Sequence, residues 1–177
     1  IVDNAVGPNN STCVSSSHAA SGDAVLNTLN SELLTFDACV IEFDFVAASD
    51  NLLACEFIFA SEEYPEYVGS WFNDIFGFFI SGPGIIGYDN IAQLPNGNGV
   101  VSINNVNAVT NTQYFIQNGT GTNAPFNSSQ QYIQYDGFTK VLKAVSEVQC
   151  GETYHLVLAI ADVGDGSWDS GIFLEAN

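Results

Sequence analysis

Positive charge is what this chain lacks most. Two Lys, Lys140 and Lys143, and no Arg stand against 20 Asp plus Glu, for a formal net charge of −18. Such a surface repels nucleic acid and anionic lipid and has no cations with which to contact phosphate, so nucleic-acid partners are excluded. Long apolar runs are also missing. The apolar stretches fall well short of the roughly 18 residues that span a bilayer, which excludes membrane insertion by a helix and leaves no signal peptide in view. Methionine is absent altogether and the first residue is Ile1, from which we expect that a leader has been removed.

The cysteines are few and widely spaced. Cys13, Cys39, Cys55 and Cys150 contain no Cys-x-x-Cys pair, which argues against a zinc or redox site. Their even number predicts two disulfides in an oxidising compartment, with three connectivities open, although Cys39 and Cys55 also fit as small buried residues of apolar strands. What the chain has in plenty is apolar and aromatic matter, 46% hydrophobic with 13 Phe and 7 Tyr, so disorder is excluded. The length of 177 residues fits one domain with a full core. Sequons at Asn10, Asn118 and Asn127 fit an exported glycoprotein, although an Asn- and Ser-rich chain produces some by chance.

Two acidic loops organise the rest. In the first, Phe57-Ile58-Phe59-Ala60-Ser61 runs into Glu62, Glu63, Tyr64, Pro65 and Glu66, then through Asn73 and Asp74 into the apolar run Ile75 to Ile80. In the second, Leu156 to Ala161 leads into Asp162, Gly164, Asp165, Gly166 and Asp169, and Ile172-Phe173-Leu174 follows. Carboxylates this dense repel one another unless a cation lies among them. Hard oxygen ligands on short, Gly-bent backbone suit Ca²⁺, so Glu62, Glu63, Glu66, Asp74, Asp162, Asp165 and Asp169 are the expected ligands of one or two calcium sites. The plainer reading is a pair of solvated acidic turns. The spacing is not that of an EF-hand.

Ser61-Glu62-Glu63-Tyr64-Pro65-Glu66-Tyr67, Phe72-Asn73-Asp74-Ile75-Phe76-Gly77-Phe78-Phe79-Ile80-Ser81-Gly82-Pro83-Gly84, Tyr135-Asp136-Gly137-Phe138-Thr139 and the Ala161 to Gly171 segment together resemble the choice-of-anchor L domain of bacterial surface and secreted proteins. The resemblance runs from about residue 20 to the end. It implies an extracellular β-rich module without a defined catalytic activity. In that family the domain begins some tens of residues earlier with further strands, so the expectation here is an open sheet edge that must be blunted or paired.

Along the chain, residues 1–22 read as an extended polar arm and 23–177 as one β-sandwich domain. Asp23 is placed to N-cap a short helix over Ala24 to Leu34. From Cys39 apolar and polar residues alternate, and Leu53 to Phe59 alternates again after the turn at Ala47 to Asn51, which together predict a hairpin. Ile75 to Ile80 reads as a central strand covered on both faces. Residues 86–131 read as long loops with weak strands at 100–103 and 113–116. Eight to ten short strands with at most one or two helices predict an all-β, two-sheet antiparallel sandwich of jelly-roll type, in which both acidic loops can share one end.

Three kinds of function follow. The carboxylates with Trp71, Trp168, Tyr64 and Tyr67 could serve a glycosidase, but such crowding suits a cation better than proton transfer. No nucleophile elbow or phosphate loop is present, His18 lies in a Ser-rich tract without strand pattern and His155 reads as packed in a strand beside Tyr154, so the chain is expected not to be an enzyme. The same aromatics beside calcium could bind glycans. The expectation carried forward is a calcium-stabilised extracellular module for adhesion or assembly, whose arm could pair with a second copy in a head-to-tail filament.

Overall fold

A computed structural model describes residues 4–11, 13–30, 34–49, 51–119 and 133–175. Among these residues the alternating segments form ten strands: β1 (Thr35–Val46), β2 (Asn51–Ser61), β3 (Ile75–Ser81), β4 (Asp89–Asn90), β5 (Val101–Ser102), β6 (Phe115–Gln117), β7 (Gly137–Thr139), β8 (Leu142–Val148), β9 (Thr153–Val163) and β10 (Ser170–Leu174). All pairings are antiparallel and make two five-stranded sheets. One runs β1-β9-β3-β4, with β5 also on β3; the other runs β10-β2-β7-β6, with β8 also on β2. The expected all-β, two-sheet antiparallel sandwich is what the chain forms.

Strand periodicity explains where the core lies. On β3 and β9 the even-numbered residues Phe76, Phe78, Ile80, Leu156 and Leu158 meet Phe57 and Phe59 of β2 and Leu142 of β8 between the sheets. The odd-numbered Ile75, Phe79, Val157, Ala159, Ala161 and Val163 form a second apolar cluster on the outer face, closed by Leu26. Both faces are therefore dry, and so the sequence of β3 is almost uninterruptedly apolar. Gly77 is required at this contact, since a Cβ there would meet the ring of Phe79.

Leu26 belongs to a single 3-10 turn, Leu26–Thr28, where a longer helix was expected. Asp23 still caps it, its Oδ1 accepting from the backbone N–H groups of Val25 at 2.9 Å and Leu26 at 2.8 Å. A second expectation fails more completely. β1 and β2 do not form a hairpin, because β1 pairs with β9 and β2 with β8 and β10. The connection crosses between sheets, and Ala47 bonds instead to the β8–β9 turn, donating to Glu152 at 3.0 Å and accepting from Gly151 at 2.8 Å.

The expected disulfides are not formed among the described residues. Cys39 lies on the open side of β1 and Cys55 on β2 of the opposite sheet, Cys13 is in the arm, and Cys150 is in the β8–β9 turn with its Sγ 3.6 Å from the Ala48 carbonyl. The Asn-rich segment after β5 is held by its own amides. Asn107 Nδ2 donates to Ile103 O while its Oδ1 accepts from the N–H groups of Val109 and Thr110, each at 2.8 Å.

The described part of the arm packs on its own domain across one end of the sandwich. Asn4 and Asn9 are buried, and Asn9 Nδ2 donates to Asp136 Oδ1 at 2.7 Å and to the Gly119 carbonyl. Farther on, Asp37 donates its N–H to Ala20 O at 3.1 Å and Ala38 donates to Ser21 O at 3.2 Å, so the arm leaves along the edge of β1.

Candidate functional site

Both acidic loops come to the end of the sandwich that the arm crosses. Glu62 donates its N–H to Asp169 O at 3.1 Å. Asp74, fully buried at the start of β3, accepts from Val163 N at 3.2 Å through Oδ1 and from Ser170 Oγ at 2.6 Å through Oδ2. The first loop thus carries the anchor for the second. Within the first loop the Tyr64–Pro65 peptide is cis, and the Tyr64 hydroxyl donates to Val106 O at 2.5 Å, which fixes Glu62 and Glu63 at the foot of the turn.

Two carboxylates are sealed from water here. Glu62 and Glu63 are each 1% exposed. Glu62 Oε2 accepts from Val14 N at 3.4 Å, but Glu62 Oε1 and Glu63 Oε2 have no hydrogen-bond partner among the described residues. Burial raises the Glu62 carboxyl to about 9, reinforced by Asp136, Asp169 and Glu66 against the bond from Val14. Glu63 is pushed up to about 8 by burial and then by Asp165 and Asp162. Asp162 is pushed up to about 9 by burial, with Asp74, Asp169, Asp37 and Asp165 adding to it. Asp74 is raised well above the carboxylate range by burial and then by Glu63, its bonds from Ser170 and Val163 working the other way. None of the charges named as acting on these groups is positive. Lys143 is engaged with Glu56 across β2 and β8 at 2.7 Å.

Of the expected ligands, Glu62, Glu63, Asp74 and Asp162 are buried, Asp169 is half-buried, and Glu66 and Asp165 are exposed. Asp169 is occupied by the arm, its Oδ1 accepting from Ser16 N at 2.8 Å and its Oδ2 from Asn4 Nδ2 at 3.3 Å. Asn73 spends its side-chain carbonyl on Asn104 N at 2.8 Å. Asp136, which reads as a turn residue in the sequence, joins the group: it is fully buried, its Oδ2 has no partner, and burial lifts its carboxyl to about 7. The Tyr135-Asp136-Gly137 motif was the only signal that could have found it. Among the described residues no three His, Cys, Asp or Glu side chains converge at metal-ligand distance. The carboxylates stand around the end of the sandwich.

Beside Glu63 lies a cavity of ≈ 250 Å³ bordered by Tyr67, Phe72, Asp165, Ser167 and Trp168. The Trp168 ring rests 4.1 Å from that of Tyr67, which meets Phe72 edge-on at 5.2 Å. Trp168 holds a backbone φ of 65°, a left-handed conformation that bulky residues seldom take, and its N–H is bound by Ser15 Oγ at 2.9 Å. Trp71 is 72% exposed and packs on neither core. Of the sequons, Asn10 is exposed and Asn127 lies outside the described residues. Asn118 is not a surface acceptor in the fold, because its buried amide donates to Tyr135 O at 2.8 Å and Ile133 O at 3.3 Å. His155 pairs through Nδ1 with Asp44 Oδ1 at 2.7 Å on the outer face of the β1–β9 pair, at the end away from the acidic loops.

Comparison with curated proteins and with solved structures found no match. The family comparison takes in the arm, which the sequence motifs had left out. It matches residues 1–177, the whole chain, to the choice-of-anchor L domain, and the protein belongs to that family, which points to a bacterial cell-surface or extracellular module.

Proposed function

We propose that this module is a calcium-stabilised, non-catalytic element of bacterial surface adhesion, with the acidic end of the sandwich as its calcium site. The observation that carries the reading is the pair Glu62 and Glu63, both 1% exposed and each with a carboxylate oxygen that has no partner among the described residues. Burying an ionised carboxylate without a counter-charge is strongly unfavourable. Two opposite outcomes relieve it: protonation, or a divalent cation that draws Glu62, Glu63, Asp136, Asp162 and Asp169 together. An oxygen-only ligand set on loops, with backbone carbonyls at hand, fits the flexible six- to eight-fold coordination of Ca²⁺ better than the strict octahedron of Mg²⁺.

The test is a thermal melt in excess calcium and again in chelator. Calcium at about 100 times its Kd adds about 2.7 kcal/mol, which for a chain of this size is a rise of about 5–10 °C. Coincident melts would sink the calcium reading. A second reading, glycan binding, has one observation in its favour, the exposed Trp71 near the Tyr67–Trp168 stack. Saturable glycan binding lost in Trp71→Ala would support it. A filament made by exchange of the arm has less behind it, since the described arm residues are already bonded to their own domain.

A further inference from the structure

The two sheets are offset by one strand. β10 lies against β9, and the Phe57 and Phe76 rings at 5.1 Å set β2 against β3. β1 therefore has no strand opposite it among the described residues. Its inward row follows from the register with β9, where Cys39, Ile41 and Phe43 flank Ile160, Leu158 and Leu156. That row is apolar and open, with Ile41 54% and Phe43 47% exposed. Below it, β10 is the edge of the second sheet, so its outer backbone N–H and C=O groups have no strand partner among the described residues. Between the two edges lies an apolar slot of ≈ 270 Å³, walled by Ile41, Leu158, Ile160, Ile172 and Leu174 and ending at Asp37, Asp162 and Asp169, where the arm residues Ala5, Ser16 and His18 also border it.

We propose that this slot takes one extended strand of a cationic partner polypeptide, added to the free edge of β10 beneath β1. Three features fix the occupant. The sheets are offset by one strand, and the β10 edge, which has no strand partner among the described residues, supplies the backbone pairing that β-strand addition uses. The walls require apolar side chains at alternate positions. Asp37, which stands at one end outside the calcium set and accepts N–H bonds from His18 and Ala20, calls for Lys or Arg there on a chain of net charge −18. A second copy of this chain fits poorly, because it brings the same negative charge and its two cations are Lys140 and Lys143, the latter already paired with Glu56. An antiparallel strand, in keeping with every pairing in the fold, ends beside Ser170, so the cations belong at its C-terminal end. The inference rests on the adhesion reading, naming what is gripped, and does not need the calcium site.

The probe is a short fluorescein-labelled peptide of alternating Val and Thr, ending in Lys-Lys and amidated, titrated by anisotropy in calcium and in chelator. Saturable binding is expected, weakened about tenfold or more when Glu-Glu replaces Lys-Lys, and weakened similarly by Ile41→Glu, an exposed position where the fold is retained. Three results would each overturn the proposal: no saturable binding by protein whose melt in the same buffer shows it folded, equal affinity for the two peptides, or a dimer in light scattering that excludes the peptide and is broken by Ile41→Glu. Coincident melts in calcium and chelator would remove the calcium site and leave peptide binding untouched, so the two readings fail separately.

Discussion

Glu63 shows what one residue is made to do in this fold. Its carboxyl is pushed up to about 8 by burial, with Asp165 and Asp162 adding to the shift, so near neutral pH without metal the fold favours the protonated acid. Replacement by Gln keeps the shape and removes the charge problem. In chelator, Glu63→Gln should therefore raise stability by about 1–3 kcal/mol near pH 8, whereas in excess calcium it should reduce the calcium-dependent rise in melting temperature. Opposite signs in the two buffers are the signature of a ligand; a loss in both would identify Glu63 as a structural acid only. Glu62 and Glu63 were legible in the sequence because four carboxylates crowd residues 62–74 without a cation among them. Asp136 was not, because Asp-Gly is a common turn pair and only the fold carries it, buried, to Glu62.

At the scale of elements, periodicity identified the strands but not their partners. The alternation of Cys39 to Phe45 and of Leu53 to Phe59 specified two strands, and both are present, but only the β2 row reaches burial, at Phe57 and Phe59; on β1 Cys39, Ile41 and Phe43, expected as the buried face, are exposed because no strand lies opposite them among the described residues. Their joining as a hairpin failed because the backbone of Ala47 bonds to Gly151 and Glu152, a contact that no local pattern records. The uninterrupted apolar run of β3 did report burial on both faces, and the structure supplies its cause in the outer cluster around Leu26. That cluster gives a prediction about the element rather than the site. Leu26 is fully buried over Ile75 and Phe79, so Leu26→Ala should cost about 2–5 kcal/mol in urea denaturation. Ile41→Ala on the open row of β1 should change stability by less than about 1 kcal/mol. Equal losses at the two positions would mean that the row at Ile41 is covered in solution.

For the whole molecule the governing quantity is the net charge of −18, concentrated in part on carboxylates that the fold seals from water. Glu62 and Asp162 are pushed up to about 9 and Asp136 to about 7, each chiefly by burial. Their ordinary values are 4.5 for the Glu and 3.8 for the Asp groups. A carboxyl raised in the fold binds its proton more tightly folded than unfolded, so its contribution to stability is complete below the ordinary value and is lost as pH climbs to the raised one. In chelator the melting temperature should therefore fall steadily from about pH 5 to about pH 9. Added NaCl should raise it by screening the repulsion. Glu56 and Asp37, whose carboxyls are lowered, act only in the acid range below this window. Calcium reverses the slope, because a cation binds the ionised carboxylates and competes better as protons leave. The gap between the calcium and chelator melts should then widen with pH. A chelator curve that rises with pH across that window would mean that water or an internal cation reaches Glu62 and Glu63 in solution, and the buried acidic end would lose its role as the cation-dependent part of the fold.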